Sequence, residues 1–182
     1  AASAAGSGGG GSYCSLEDCL QAFSAEEVLD GDNRPACEHC GRRRKSSKHL
    51  LVHRYPPVLV VHIKRFQYTS SSRNKLSKPV TFPLQGLDLR PFVTVGARPT
   101  NGPGPCGAQG SATGSGGGSS PGVDPIYDLF GVANHMGGLG GGHYTAHCLN
   151  RGDGQWYTFD DTHVSRVSPH CLGGSSAYVL FY

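Results

Sequence analysis

The apolar positions of this chain follow two rhythms, and the place where one gives way to the other decides which elements are predicted. Near the start, Leu16, Cys19, Leu20 and Phe23 recur at helical spacing behind Ser15 and Asp18, so a short helix with a serine cap and one apolar face is expected. Ser24-Ala25-Glu26-Glu27 repeats the capping-box signature, which leaves open two short helices joined at Ser24 or a single longer one. Further on the rhythm becomes that of strands. Lys48 to Arg54 reads as one strand. Val58 to Ile63 is a run apolar at all but His62 behind Pro56-Pro57, as expected of a central strand buried on both faces. Val80 to Leu84 and Tyr127 to Asn134 read as short strands. Tyr144 to Cys148 and Gln155 to Phe159 read as the arms of a hairpin turned by Asn150-Arg151-Gly152-Asp153-Gly154. Tyr178, Leu180 and Tyr182 alternate with Val179 and Phe181, a terminal strand with apolar groups on both sides.

Segments without either rhythm divide the chain. Ala1 to Ser12 is Gly/Ala/Ser-rich and offers nothing to a core, so it reads as a flexible linker. Gln67 to Lys78 is polar and reads as a mobile loop, and Met136 to Gly142 as a glycine loop. Gly96 to Gly122 is of low complexity and too poor in apolar groups to offset the entropy of ordering it, which makes Cys106 an incidental thiol. The organisation expected is a linker over 1–12, a first folded part over 13–95, an insertion over 96–124 and a second folded part over 125–182.

Composition narrows the classes. With 28 glycines among 182 residues and 37% hydrophobic content, the chain can bury one modest core. A formal net charge of +3 is too small to argue for nucleic acid. The basic run Arg42-Arg43-Arg44-Lys45 lacks interleaved aromatics and reads first as a solvated surface, with an RNA or acidic partner as the alternative. No apolar run approaches the roughly 20 residues of a membrane span, and no signal peptide opens the chain, so a soluble intracellular protein is expected. Seven cysteines, an odd number at irregular spacing, read as reduced thiols. Cys37 and Cys40, as Cys-x-x-Cys, offer two soft ligands where a structural zinc needs four. The nearest candidates to complete such a site are His39, His49 and His53.

The candidate chemistry sits in the hairpin. His143 ends the run Gly140-Gly141-Gly142, and Asp160 follows seventeen positions later with Asp161 beside it. Antiparallel pairing would bring His143, which opens one arm, next to Asp160, which closes the other. A histidine whose far nitrogen is held by a carboxylate is a base in need of a nucleophile. His135, upstream, is suited either to hydrogen-bond a substrate backbone or to satisfy loop carbonyls. Trp156 and Tyr157 read as packing groups.

The string Gly141-Gly142-His143-Tyr144-Thr145-Ala146, with Asn134-His135 before it, Phe159-Asp160-Asp161 after it and Ala177 to Tyr182 at the end, closely resembles the ubiquitin-specific protease family of cysteine deubiquitinases. Tyr55-Pro56-Pro57 through Lys64-Arg65-Phe66 resembles that family's palm strand, and Cys37-Glu38-His39-Cys40 the second cysteine pair of its zinc finger. The resemblance implies an α+β, partial papain-like fold, mainly antiparallel palm and finger sheet with short N-terminal helices. It implies a thiol-dependent hydrolase that cleaves peptide and isopeptide bonds after the terminal glycine of ubiquitin, with ubiquitin and ubiquitinated proteins as partners in cytoplasm or nucleus.

By the same resemblance His143 is the general base, Asp160 its orienter, and Asp161 a support for the hydrogen-bond network or the hydrolytic water. Asn134, His135, Gly141, Gly142 and Tyr144 then contact the substrate tail. No cofactor is implied for catalysis, and Cys37 and Cys40 are half of a structural zinc site whose other pair lies upstream. The family's nucleophile stands in a Gly-Asn-Thr-Cys-Tyr type block that none of Cys14, Cys19, Cys37, Cys40, Cys106, Cys148 or Cys171 matches. The expectation is therefore the C-terminal half of a catalytic domain, inactive without its N-terminal half. A noncatalytic ubiquitin-binding or scaffold module is the alternative.

Overall fold

The helical spacing at residues 16–23 folds as α1 (Leu16–Ser24), with Glu17 and Asp18 in its first turn, where carboxylates suit the helix dipole. A computed structural model describes residues 13–69, 72–99, 125–138 and 140–182. The expected linker over 1–12 and most of the low-complexity insertion, Cys106 included, lie outside the described residues; Gly96 to Pro99 continue a strand. In chain order the strands are β1 (Cys14–Ser15), β2 (Glu27–Leu29), β3 (Ser46–Lys48), β4 (Val52–Tyr55), β5 (Val60–His62), β6 (Phe66–Tyr68), β7 (Arg73–Lys75) and β8 (Val80–Thr81). There follow β9 (Leu87–Asp88), β10 (Val93–Pro99), β11 (Ile126–Tyr127), β12 (Gly131–Gly138), β13 (Gly141–Asn150), β14 (Gln155–Asp160), β15 (His163–Arg166) and β16 (Ala177–Phe181).

The chain divides into two units. One holds residues 17–59 and 84–128 with Tyr182, and is built of two-stranded pieces: β2 with β3 and β9 with β11, both antiparallel, and β4 with β10 in parallel. Here the expected second helix is absent. The Ser24 hydroxyl donates back to the Leu20 carbonyl, 2.9 Å away, closing α1, and Glu27 to Leu29 pair with Ser46 to Lys48 as strands. A serine in the last turn thus ends a helix instead of capping a new one. The strand expected over 48–54 is split between β3 and β4.

The other unit holds residues up to Leu16, 60–83 and 129–181, and its centre is a six-stranded antiparallel sheet of order β15-β14-β13-β12-β16-β5. The hairpin expected from the aromatic runs is β13–β14, in register from Ala146 opposite Phe159 to Asn150 opposite Gln155. The terminal strand expected at the chain end is β16. Three expectations are corrected. Val60 to His62 form an edge strand instead of the central one, paired through β16 alone in this sheet, with Val58 and Val60 exposed. Residues 67–78 contain the β6–β7 hairpin instead of a loop. Residues 136–138 and 141–142 are strand instead of loop, since β12 and β13 stay paired out to Gly138 opposite Gly141.

Alternation along these strands separates two faces. Val132, Trp156, Ala177 and Leu180 share the buried face, Ala177 and Leu180 being 0% exposed. Val60, Tyr144, Phe159 and Val164 lie on the other, where each remains exposed. Arg65, only 2% exposed, follows β5 and stitches the unit together: its guanidinium donates to the carbonyls of Ala177, Leu76, Lys78 and Gly174 at 2.7–3.1 Å. A planar fork with five N–H groups suits such a cluster of carbonyls better than an ammonium would.

Candidate active site

Register alone brings His143 to Asp160. Continuing the β13–β14 ladder past Ala146 opposite Phe159 places Asp160 opposite Thr145, so His143 is its diagonal neighbour on the same face, within reach of an imidazole. The two meet with His143 Nε2 2.5 Å from Asp160 Oδ1, both side chains about half exposed at 45% and 51%. Because an ionised carboxylate can only accept, Nε2 carries the hydrogen and Nδ1 keeps the lone pair. That hydrogen bond, with the charges of Asp160 and Asp161, holds the His143 pKa above its ordinary value, against a smaller opposing effect of burial.

Asp161 joins the pair by an unusual backbone. It is the one described non-glycine residue at positive φ, 49°, and Thr162 after it is not, the sign pattern of a type II′ turn between β14 and β15. That turn normally gives this position to glycine. Spending an aspartate there brings its carboxylate back toward the imidazole, so that one ligand atom each from His143, Asp160 and Asp161 lie within 4.8 Å of one another.

The expected substrate contacts do not lie together. Asn134 pairs with Thr145 and so faces the same way as His143, but it is buried, with Ser176 Oγ donating to its Oδ1 at 3.4 Å. His135 and Tyr144 are directly opposite each other on the other face. His135 is buried in an aromatic nest, its ring centroid 4.7 Å from Tyr144, 5.5 Å from Phe66 and 5.7 Å from Tyr178. Burial first, and then the charge of Lys75, lowers its pKa, and its Nδ1 is buried with no hydrogen-bond partner among the described residues. Gly142 has an internal duty, since a Cβ there would collide with His135 Nε2 and stand 2.6 Å from the Met136 carbonyl oxygen. A Cβ at Gly141 would meet open space. Trp156 is buried and packs, as its sequence context suggests.

Cys37 and Cys40 flank a tight turn in which Gly41 N–H donates to the Cys37 carbonyl and Arg44 Nε to Cys40 Sγ at 3.3 Å. The Arg42 backbone N–H, then Arg44 and Cys37, lower the Cys40 pKa and favour the thiolate that a metal needs. Two soft donors are half of a tetrahedral set. Among the described residues the one group of three close His, Cys, Asp or Glu ligand atoms is instead His143, Asp160 and Asp161. Cys148, five residues beyond His143 on β13, points to the opposite face about 17 Å along the strand, and burial raises its thiol pKa. No helix of the described residues is long and apolar enough to cross a membrane. Sequence reasoning missed Lys75, whose ammonium donates to the carbonyls of His135 and Gly137 at 2.7 and 2.9 Å; a polar residue in an apparent loop gave no signal.

Comparison with known proteins gives this geometry a lineage. Human ubiquitin carboxyl-terminal hydrolase 2 is 38% identical over 167 residues, 92% of this chain and 24% of that protein. Mouse ubiquitin carboxyl-terminal hydrolase 43 is 40% identical over 175 residues, 93% of this chain and 15% of that protein. The chain therefore spans about a quarter or less of the length of these relatives. The SAGA Ubp8/Sgf11/Sus1/Sgf73 DUB module bound to ubiquitin aldehyde superposes with a TM-score of 0.67 at 28% identity, over 93% of this chain and 33% of that one. A yeast SAGA DUB module structure gives 0.68 at 29%, over 93% and 32%. These neighbours carry the partial papain-like α+β fold expected from the sequence. The ubiquitin carboxyl-terminal hydrolase family model matches residues 26–182, and the chain belongs to that family of cysteine deubiquitinases.

Proposed function

We propose that this chain supplies the base and its orienting carboxylate to a hydrolase that cleaves the bond after the terminal glycine of ubiquitin. The observation that carries the reading is the 2.5 Å contact of His143 Nε2 with Asp160 Oδ1 at the open end of the β13–β14 hairpin. With Nε2–H held by Asp160, Nδ1 takes the proton of a thiol, and the thiolate attacks the glycine carbonyl. The imidazolium then protonates the lysine amine as the carbon–nitrogen bond breaks, and the same nitrogen draws a proton from the water that hydrolyses the thioester. Asp160 stabilises the charge on the ring throughout, and Asp161 adds a second carboxylate to that field or positions the water.

The thiol comes from sequence outside these 182 residues. No cysteine here stands in the family's nucleophile context, and Cys148 faces away from His143. Without that sulfur the chain alone has no turnover. Gly141, Gly142 and Tyr144 lie near His143 in β13 and are the residues we assign to contact with the substrate tail, while Asn134 and His135 in β12 shape the hairpin that presents it. His135 and Asn134 act there by holding the hairpin, since both are buried. Ubiquitin conjugates are the partners, which places the protein in cytoplasm or nucleus. Cys37 and Cys40 hold half of a structural zinc site that other residues complete.

Joined to a thiol-bearing N-terminal segment, the wild-type chain is expected to release the amine from a ubiquitin C-terminal amide, and His143→Ala to lose roughly 10^4-fold or more of that rate. Unchanged turnover in the variant removes the proposed base. An inactive wild type that still binds ubiquitin leaves a noncatalytic binding module.

A further inference from the structure

The hairpin that carries His143 outruns its neighbour. The β12–β16 ladder ends with Asn134 opposite Ala177, whereas β12 continues to Gly138. Along this stretch the His135 N–H donates to the Ser176 carbonyl at 2.9 Å, so the carbonyl of His135, and of Gly137 two residues on, also points toward the side where β16 has stopped. Two acceptors on the open edge of a strand need donors from elsewhere. Lys75, the last residue of β7, provides both from one ammonium, with Nζ 2.7 Å from the His135 oxygen and 2.9 Å from that of Gly137.

These two carbonyls bracket Met136, and Met136 is the residue paired with His143 across the hairpin. The backbone there has little stiffness of its own, since Gly137, Gly138, Gly141 and Gly142 form its last two pairs. We propose that Lys75 is a positioning residue for His143: by clamping the carbonyls on either side of Met136 it fixes the end of the β12–β13 hairpin and thereby the approach of the imidazole to Asp160. The ammonium supplies what a seventh strand would otherwise supply, and it does so from the β6–β7 hairpin, tying the two hairpins together. Its own situation fits a structural cation, because burial, and then the nearby Arg65, lower the Lys75 pKa, and charge-assisted bonds to carbonyls compensate the lost hydration.

The inference rests on the reading of His143 and Asp160 as a working couple, and the test separates the two. Imidazole NMR titration of the chain reads His143 directly, with Asp160, Asp161 and His163 as the titratable groups around it. In the wild type His143 should titrate above its ordinary value. In Lys75→Met, which keeps the length and loses the donors, its proton affinity should drop at least about threefold, half a pH unit, with far-UV circular dichroism unchanged. Lys75→Arg, which keeps charge-assisted donors, should restore most of the rise. A raised His143 in wild type and Lys75→Met alike overturns the clamp and leaves the couple intact. An ordinary value in the wild type overturns the couple itself. If Lys75→Met does not fold, Lys75→Gln, polar but too short to reach both carbonyls, is read by the same two outcomes.

Discussion

His143 would titrate near 6.5 as an isolated imidazole, and the hydrogen bond that its Nε2–H donates to Asp160 moves it upward. A group whose pKa is higher in the folded than in the unfolded chain stabilises the fold below the unfolded value and loses that contribution as pH rises through the folded one. Asp160→Asn, which removes the largest upward effect, should lower the His143 titration. The wild type should then exceed the variant in stability below the ordinary imidazole value of 6.5, and the difference should fade as pH rises through the raised value of the folded chain. Urea unfolding at these pH values checks the sign, and a wild-type advantage that grows with pH contradicts it. The couple was legible in the sequence because both members lie at one end of a single hairpin. The bent backbone of Asp161 was not, since the turn chemistry of Asp161-Thr162 carries no glycine to announce a positive φ.

At the scale of elements, glycines misled the reading in an instructive way. Gly137, Gly138, Gly141 and Gly142 suggest a loop, yet they form paired strands, and at Gly137 and Gly142 the missing side chain makes room for neighbouring atoms. Gly142→Ala should cost about 1–3 kcal/mol, because the new methyl displaces the His135 ring or the hairpin backbone. Chemical denaturation measures the loss, and the ring contact of His135 with Tyr144 should weaken in NMR spectra of the same variant. Val58 to Ile63 failed for a different reason. A largely apolar run reports that a strand's faces are covered, not which strands flank its edges, so pairing partners are not encoded in the run itself. The β6–β7 hairpin was hidden by polar side chains, although its last residue reaches back to the active hairpin.

For the molecule as a whole, the six-stranded sheet is the frame that sets every distance at the site. Leu180, fully buried in β16 between β12 and β5, is its apolar pivot, and Leu180→Ala should cost about 2–5 kcal/mol. If thermal or urea unfolding shifts by less than about 1 kcal/mol, the sheet face that holds Val132, Trp156 and Ala177 is not the core. The antiparallel α+β character was readable from strand-like runs closed by turn residues. The order of the strands was not, because it depends on contacts between β5, β12 and β16 that are far apart in sequence. The β13–β14 hairpin differs from that long-range framework. Its arms adjoin along the chain, and structures of this kind assemble in roughly 1–10 μs without waiting for distant segments to meet. Histidine and carboxylate therefore travel as a single cassette: a graft or gene recombination that moves this ribbon intact carries the proposed base together with its orienter, whereas a breakpoint between its arms parts them.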